Sequence, residues 1–156
     1  MITEASASDF ALLQVGRAPD DYRLAPGNIA PTEVIEMLSE LAEGIRPNFT
    51  PCAWMIIEDG EIVGLCSLIR TPEASNIHIG YGVSPSRWGK GIASRAVADV
   101  LAWARRHPRV DWVTAETGAE NLASQSVLRR NGFEQIGTCV NEEDGPLIQW
   151  RKNTAA

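Results

Sequence analysis

The chain has little of what several classes of protein depend on. Its 156 residues include three cysteines and two histidines. Cys52, Cys66 and Cys139 lie far apart, no Cys-x-x-Cys occurs, and His78 and His107 are the only imidazoles, so no metal site is expected. Sparse, odd-numbered thiols fit buried core cysteines in a reducing compartment. No apolar run approaches the roughly 20 residues of a membrane span, and no membrane partner is expected. The start, Met1-Ile2-Thr3-Glu4-Ala5, lacks the basic region and apolar stretch of a secretory signal, which predicts a cytoplasmic protein. The sequon Asn48-Phe49-Thr50 is then a chance match. A basic excess is missing too: the net charge is -6 and the pI near 4.9. That is the wrong sign for a nonspecific nucleic-acid binder. An anionic ligand would have to be held by local dipoles, and the acidic balance suits a cationic substrate such as an amine.

Internal repeats, low-complexity segments and linkers are also lacking, which predicts a single domain over residues 1–156. With 44% hydrophobic and 22% charged residues the composition is that of an ordinary soluble globule, long enough to bury a sizeable core. Ser8-Asp9 reads as the cap of a short helix carrying Phe10, Leu12, Leu13 and Val15, or that segment is a strand. Pro19, Pro26, Gly27 and Pro31 predict a loop over 16–31. Thr32 opens a helix with Val34, Leu38 and Leu41 on one face, and Gly44 is placed to end it. After Pro51 the period becomes two. Ala53 to Glu58 and Glu61 to Arg70 read as a hairpin around Asp59-Gly60, and Asn76 to Val83 as a third strand. In that third strand Ile77, Ile79, Tyr81 and Val83 share one side, and Asn76, His78, Gly80 and Gly82 the other.

The strongest helix follows, with a stripe of Ile92, Ala93, Ala96, Val97, Val100, Leu101 and Ala104, stopped by Pro108. Trp112 to Thr117 is a strand. Asn121 caps a further helix that ends at Asn131-Gly132, with Phe133 packing back on it. Two last strands, Glu134 to Asn141 and Leu147 to Arg151, flank a turn at Asp144-Gly145. This order predicts an α/β layered domain with a mixed sheet.

Between Val83 and Ser94 a strand ends at a proline and Gly89-Lys90-Gly91 leads into the long helix. Unsatisfied N–H groups at a helix start, with glycines that admit an oxygen to the backbone, form a phosphate cradle. Arg87, Lys90 and Arg95 add positive charge there, against the overall pI. A P-loop fails, because Ser84 and Gly91 stand where Gly and Ser or Thr belong. A dinucleotide fingerprint fails for want of its third glycine and of a strand–helix unit near the chain start. Without a ligand, the same glycines would serve a plain strand–turn–helix junction.

The stretch Ile79-Gly80-Tyr81-Gly82-Val83-Ser84-Pro85, then Trp88-Gly89-Lys90-Gly91-Ile92-Ala93, closely resembles the GNAT acetyltransferases, especially their RimJ/RimL-like branch. A second match follows in Asn121-Leu122-Ala123-Ser124, Val127-Leu128 and Asn131-Gly132-Phe133. The resemblance runs from about Cys52 to Trp150. The family loop usually begins with Gln or Arg where this chain has Trp88, a residue frequent there in the RimJ/RimL-like branch. The resemblance implies a GNAT-like mixed, mostly antiparallel sheet with helices on both faces, and acetyl-CoA as cosubstrate. It implies that Val83 hydrogen-bonds the pantetheine arm through its backbone where the strand splays from its neighbour. It also implies that the loop Trp88, Gly89, Lys90, Gly91, Ile92, Ala93 and Ser94 holds the pyrophosphate. Asn121 either reaches the cofactor or only caps its helix. Ser124 either stands near the cofactor or faces solvent.

The expected reaction is transfer of acetyl to a primary amine, of a small molecule or of a protein or peptide N-terminus, by direct attack in a ternary complex. The alternative is a non-catalytic acyl-CoA-binding or sensing domain. Many relatives hold a Glu at the position of His78, so His78 is the first candidate base, facing an open cleft beside Gly80 and Gly82, or else a solvated strand residue. Glu116 is the second candidate, or else a surface carboxylate. Where many members carry a Tyr as acid, this chain has Leu128, which leaves Ser124, water or unassisted departure of the thiolate. No cysteine has a recognisable activating partner, so an acetyl-enzyme is not expected. Relatives are often monomers or homodimers.

Overall fold

Alternating apolar side chains in the middle of the chain build one eight-stranded sheet, and helices pack against both of its faces. The computed structural model describes residues 1–155. Its elements in chain order are β1 (Ile2–Glu4), α1 (Ala7–Gln14), β2 (Arg23–Leu24), α2 (Thr32–Ile45), β3 (Ala53–Glu58), β4 (Glu61–Leu68), β5 (Asn76–Val83), α3 (Ile92–Arg106), β6 (Trp112–Gly118), α4 (Leu122–Arg130), β7 (Glu134–Asn141) and β8 (Gly145–Asn153). The strands lie side by side as β1-β3-β4-β5-β6-β8-β7, with β2 running parallel to the first residues of β4. All other neighbours are antiparallel except β5 and β6. The mixed, mostly antiparallel sheet is the one expected.

The departures lie near the N-terminus. The first helix is capped by Ser6, not by Ser8-Asp9. Ser6 Oγ accepts from Asp9 N at 3.1 Å and Asp9 Oδ2 accepts from Ser6 N at 2.8 Å, a reciprocal box that fixes a helix in this segment. It buries Phe10 and Leu13 and leaves Val15 exposed beyond its end. β1 and β2, absent from the sequence reading, are short strands held by pairing with β3 and β4. No pattern of period two fits into two or three residues. α2 runs through Gly44 to Ile45, and its deepest face is Ile35, Ala42 and Ile45; Val34, Leu38 and Leu41 are half-buried beside it. With no side chain to clash, Gly44 continues the helix, and Pro47 just after is the stop.

Two details of the sheet set up the site. The β3–β4 hairpin turns on Asp59 and Gly60, both at positive φ (51° and 74°), so the twist of the turn matches that of the strands. Further along, Ile56 pairs with Gly64 but Ile57 with Ile62, so Val63 is an extra residue bulged out of register. The antiparallel register sets Trp54, Cys66 and Tyr81 on one face, where Trp103 of α3 meets Trp54 edge-on at 5.1 Å. α3 and α4 cover this face. α2 packs on β4, and the Cys52 thiol donates to Ala42 O.

Candidate active site

β5 and β6 pair only from Asn76 and Trp112 to Ile79 and Ala115. Beyond that point β5 continues to Val83 along β4, while β6 continues to Gly118 along β8. The two parallel strands therefore part, opening a wedge between Gly80–Val83 and Glu116–Gly118. Gly64 draws β5 away: a Cβ there would lie 2.2 Å from the carbonyl oxygen of Gly82, so only glycine allows so close an approach of backbones. An isolated Gly inside a strand pattern was the available signal for this. The β5 polar groups that would have met β6 are released from the ladder along the wedge.

From the end of β5 the chain enters the glycine loop, which is pinned from below. Ser84 is buried and its Oγ donates to Asn28 O at 2.8 Å, while Ser86 Oγ donates to Pro26 O at 2.8 Å. Arg87 grips Glu61 with two bonds, Nε to Oε1 at 2.7 Å and Nη2 to Oε2 at 3.1 Å. That grip holds the Glu61 carboxyl below its usual range. Arg95 bonds both Glu58 and the Lys90 carbonyl. Gly89 and Gly91 stand at φ 77° and 74°, in the left-handed region, and Gly91 is the N-cap of α3. Gly91 brings no side chain to the first amides of α3, so these N–H groups are presented outward with the positive end of the helix dipole behind them. They border a groove of about 700 Å³ that runs from Gly82 and Val83 over Gly89–Ser94 to Ser124 and Val127 of α4. Trp88 is 68% exposed at its edge, and its indole N–H donates to Val83 O at 2.7 Å.

The far wall of the groove is α4. Asn121 does cap it, accepting from Ser124 N at 3.1 Å, and also borders the groove. Ser124 faces the groove, where Tyr81 Oη lies 2.8 Å from its Oγ and 3.2 Å from its carbonyl oxygen. Leu128 is 0% exposed and belongs to the core. Three ties here escaped the sequence reading. The Tyr81 hydroxyl bonds α4, although the strand pattern placed this residue simply with the apolar face. Buried Gln125 donates from Nε2 to Gly118 O at 3.1 Å and Ala119 O at 3.0 Å, closing the β6–α4 turn. Asn131, read only as a helix stop, donates from Nδ2 to Ser94 O at 3.1 Å and so fastens the end of α4 to the start of α3.

His78 and Glu116 lie on the opposite face of the sheet. The expectation of an open cleft at His78 does not hold, nor does the solvated alternative. Its side chain is 7% exposed, and the space beside Gly80 is filled by Ile69, whose Cδ1 would be 2.9 Å from an added Cβ. The room on this face is at Gly82, where an added Cβ would meet nothing within 4 Å. His78 Nε2 is 3.2 Å from Glu116 Oε1 and Nδ1 is 2.8 Å from Thr114 Oγ1. Burial, helped by Arg70, lowers the imidazole pKa against the opposing pull of Glu116, so the ring is neutral at pH 7. A carboxylate only accepts, so Nε2 carries the hydrogen and Nδ1 accepts from Thr114. Glu116, with 31% of its side chain exposed, is the member of this pair that reaches solvent, and Cys139 Sγ donates to its other oxygen at 3.3 Å. All three thiols are raised: Cys66 by burial to about 12, Cys52 by burial, and Cys139 chiefly by its bond to Glu116. Among the described residues no cluster of His, Cys, Asp and Glu has the makings of a metal site, and no helix is long and apolar enough to cross a membrane.

A family model for the acetyltransferase (GNAT) domain matches residues 1–134. The chain belongs to the GNAT acetyltransferase family. Among curated proteins it is 29% identical over 101 residues to FsC-acetyl coenzyme A-N(2)-transacetylase of Aspergillus fumigatus, covering 60% of this chain and 43% of that one. It is 31% identical over 101 residues to the uncharacterized N-acetyltransferase YjdG of Bacillus subtilis, covering 63% of this chain and 57% of that one. The chain thus spans about half the length of the curated relatives it matches. Of solved structures, a spermidine N-acetyltransferase chimera of Vibrio cholerae SpeG and hSSAT superposes with a TM-score of 0.73 at 15% identity, over 99% of this chain and 95% of that chain. The ribosomal L7/L12 alpha-N-protein acetyltransferase RimL in complex with coenzyme A gives 0.71 at 19%, over 97% and 92%. Likeness to both spermidine and ribosomal-protein enzymes, at similar scores, reaches the shared fold and does not single out the RimJ/RimL-like branch.

Proposed function

We propose that this GNAT domain is an N-acetyltransferase that moves acetyl from acetyl-CoA to a primary amine, of a small molecule or of a protein or peptide N-terminus, by direct attack. The observation that carries this reading is the wedge itself. It joins a phosphate-cradling groove on the α3–α4 face to an accessible carboxylate, Glu116, on the opposite face. The chain's residues suit coenzyme A. The amides of Gly91–Ser94 meet pyrophosphate, and the open space above Gly89, where an added Cβ would touch nothing within 4 Å, leaves its path clear. Bound there, acetyl-CoA supplies an activated acyl group as its thioester. Val83 and the released backbone groups of β5 orient the pantetheine arm.

The amine approaches from the Glu116 side. Glu116 takes the proton that the ammonium must lose, while His78 holds the carboxylate through Nε2–H and is itself fixed by Thr114. His78 is in this reading the partner of the base, because its remaining nitrogen is already engaged. A β5 amide at the wedge stabilises the carbonyl oxygen as it gains charge, a contribution of about 2.7–4 kcal/mol where such donors have been removed. Most of the acceleration comes from holding amine and thioester together. Ser124, on the groove side, would be the hydroxyl available to a departing sulfur. A non-catalytic acyl-CoA-binding domain is the less favoured reading, since the matched relatives are named N-acetyltransferases. The test is thiol release from acetyl-CoA across a panel of small amines and peptides, with mass spectrometry of the products. A product heavier by one acetyl on an amine supports the assignment. Binding of CoA without turnover of any amine overturns it in favour of the binding domain.

A further inference from the structure

Along a strand, backbone polar groups point alternately to one neighbour and to the other. At the two ends of the β4–β5 ladder Ile69 N donates to His78 O at 2.9 Å and Ser84 N donates to Val63 O at 2.7 Å. With this register His78, Gly80, Gly82 and Ser84 turn their polar groups to β4. Tyr81 and Val83, the residues between, turn theirs the other way, into the wedge that β6 leaves after Ile79. There the Val83 carbonyl is already taken. Trp88 Nε1 donates to it at 2.7 Å, back across the turn Pro85–Arg87. The backbone of Trp88 is held by that turn, its N donating to Pro85 O at 3.3 Å. Its side chain is 68% exposed, so the bond to Val83 rather than burial keeps the indole where it is. Val83 and Trp88 both line the groove, and the next residue, Gly89, has nothing within 4 Å of an added Cβ.

Resting on the reading of the groove as the acetyl-CoA site, we propose that the Trp88 indole is a stand-in for the pantetheine arm on the Val83 carbonyl, and that the arm displaces it. The arm carries amides, and an amide N–H laid along β5 needs the oxygen that the indole N–H fills in the free protein. As the arm enters, Trp88 swings off Val83 into the open space beside Gly89, and the oxygen exchanges one N–H for another. The carbonyl is thereby satisfied in both states. The exchange also makes Trp88 a sensor of the arm. A ligand with the pyrophosphate and no arm leaves the indole in place, whereas coenzyme A binds more weakly by the worth of the bond it must break.

The test uses two ligands and no acceptor: coenzyme A, and 3′-phospho-ADP, its nucleotide half, which has the pyrophosphate and lacks the arm. Calorimetry gives the affinity of each for wild type and for Trp88→Phe, which keeps an aromatic ring and loses the N–H. Coenzyme A should bind the variant roughly 2- to 10-fold tighter, since the net worth of one hydrogen bond is no longer given up, while 3′-phospho-ADP stays within about twofold. A residue that merely shaped the loop would not tighten binding when removed. Benzothienylalanine at position 88, which has the size of tryptophan without its N–H, should tighten coenzyme A in the same way. Nuclear magnetic resonance then follows the indole N–H itself. Of the five tryptophans, Trp88 is assigned by the resonance missing from Trp88→Phe. That resonance should move upfield and exchange faster with water when coenzyme A binds, and stay in place with 3′-phospho-ADP. An indole that does not move with coenzyme A would mean that the oxygen accepts both donors at once, and overturns the proposal. So does an indole that moves alike with both ligands, or an affinity for coenzyme A that is unchanged or weaker in either variant. The amides of Gly91–Ser94 report on the groove separately. If neither ligand shifts them, the groove assignment falls, and the proposal with it; if both ligands shift them while the indole stays, the proposal alone falls.

Discussion

The α3–α4 face of the sheet and the face that bears His78 meet at the same wedge but are made differently. On the first, the groove is formed mostly by backbone: two left-handed glycines, the opening amides of α3, and a loop fastened by Ser84, Ser86 and Arg87. On the second, the proposed chemistry rests on a chain of side chains, Thr114–His78–Glu116–Cys139, drawn from three strands, β5, β6 and β7. A backbone site tolerates side-chain change wherever no Cβ intrudes, and fails at its glycines. A side-chain array fails at whichever member carries the charge.

The largest effect is therefore expected at Glu116. Glu116→Gln removes the proton acceptor and keeps the shape, so kcat should fall by about 10²–10⁴-fold while CoA affinity stays within about twofold. A loss below threefold with a good acceptor would move the base elsewhere, or mean that the amine arrives neutral. On the other face the pattern should invert. Gly91→Val places a β-branched residue at φ 74°, a strain of about 1–3 kcal/mol, with a Cβ 3.1 Å from Arg95 Nη1. Calorimetry should show CoA binding weakened by roughly 10-fold or more in a variant that still folds. Unchanged affinity would refute the loop assignment.

The smallest effect is a pH dependence of stability. His78 has a lowered pKa in the folded protein, so between that value and the ordinary 6.5 the unfolded chain binds the extra proton and the folded one does not. Stability should fall as pH drops below about 6.5 and level off once the folded ring is protonated. Denaturant unfolding of wild type and His78→Gln across this range should show a shallower slope in the variant. Identical slopes would mean that His78 titrates normally.

How much of this was legible in the sequence follows from the same contrast. The glycine loop, the long helix and the Asn121 cap are local features, written in consecutive residues. The hairpin and the strands from Ala53 onward were readable from alternation for the same reason. What escaped depends on register between distant segments. Gly64 matters because Gly82 approaches it, Tyr81 because α4 lies across the wedge, and Asn131 because Ser94 is in reach. His78 shows the limit best. Its strand face was assigned correctly, yet its burial was not, because Ile69 fills the space that Gly80 leaves. β1 and β2 are too short to carry a period and exist only by pairing.

The account stands on transfer across the wedge without a covalent stop on the protein. The most direct measurement is the intact mass of the protein after incubation with acetyl-CoA alone, followed by addition of the best acceptor amine. With all three thiols raised in pKa, the protein mass should not change, and acetylated amine should appear only when both substrates are present. A protein heavier by one acetyl group on a cysteine, which then passes that group to the amine after acetyl-CoA has been removed, would contradict it.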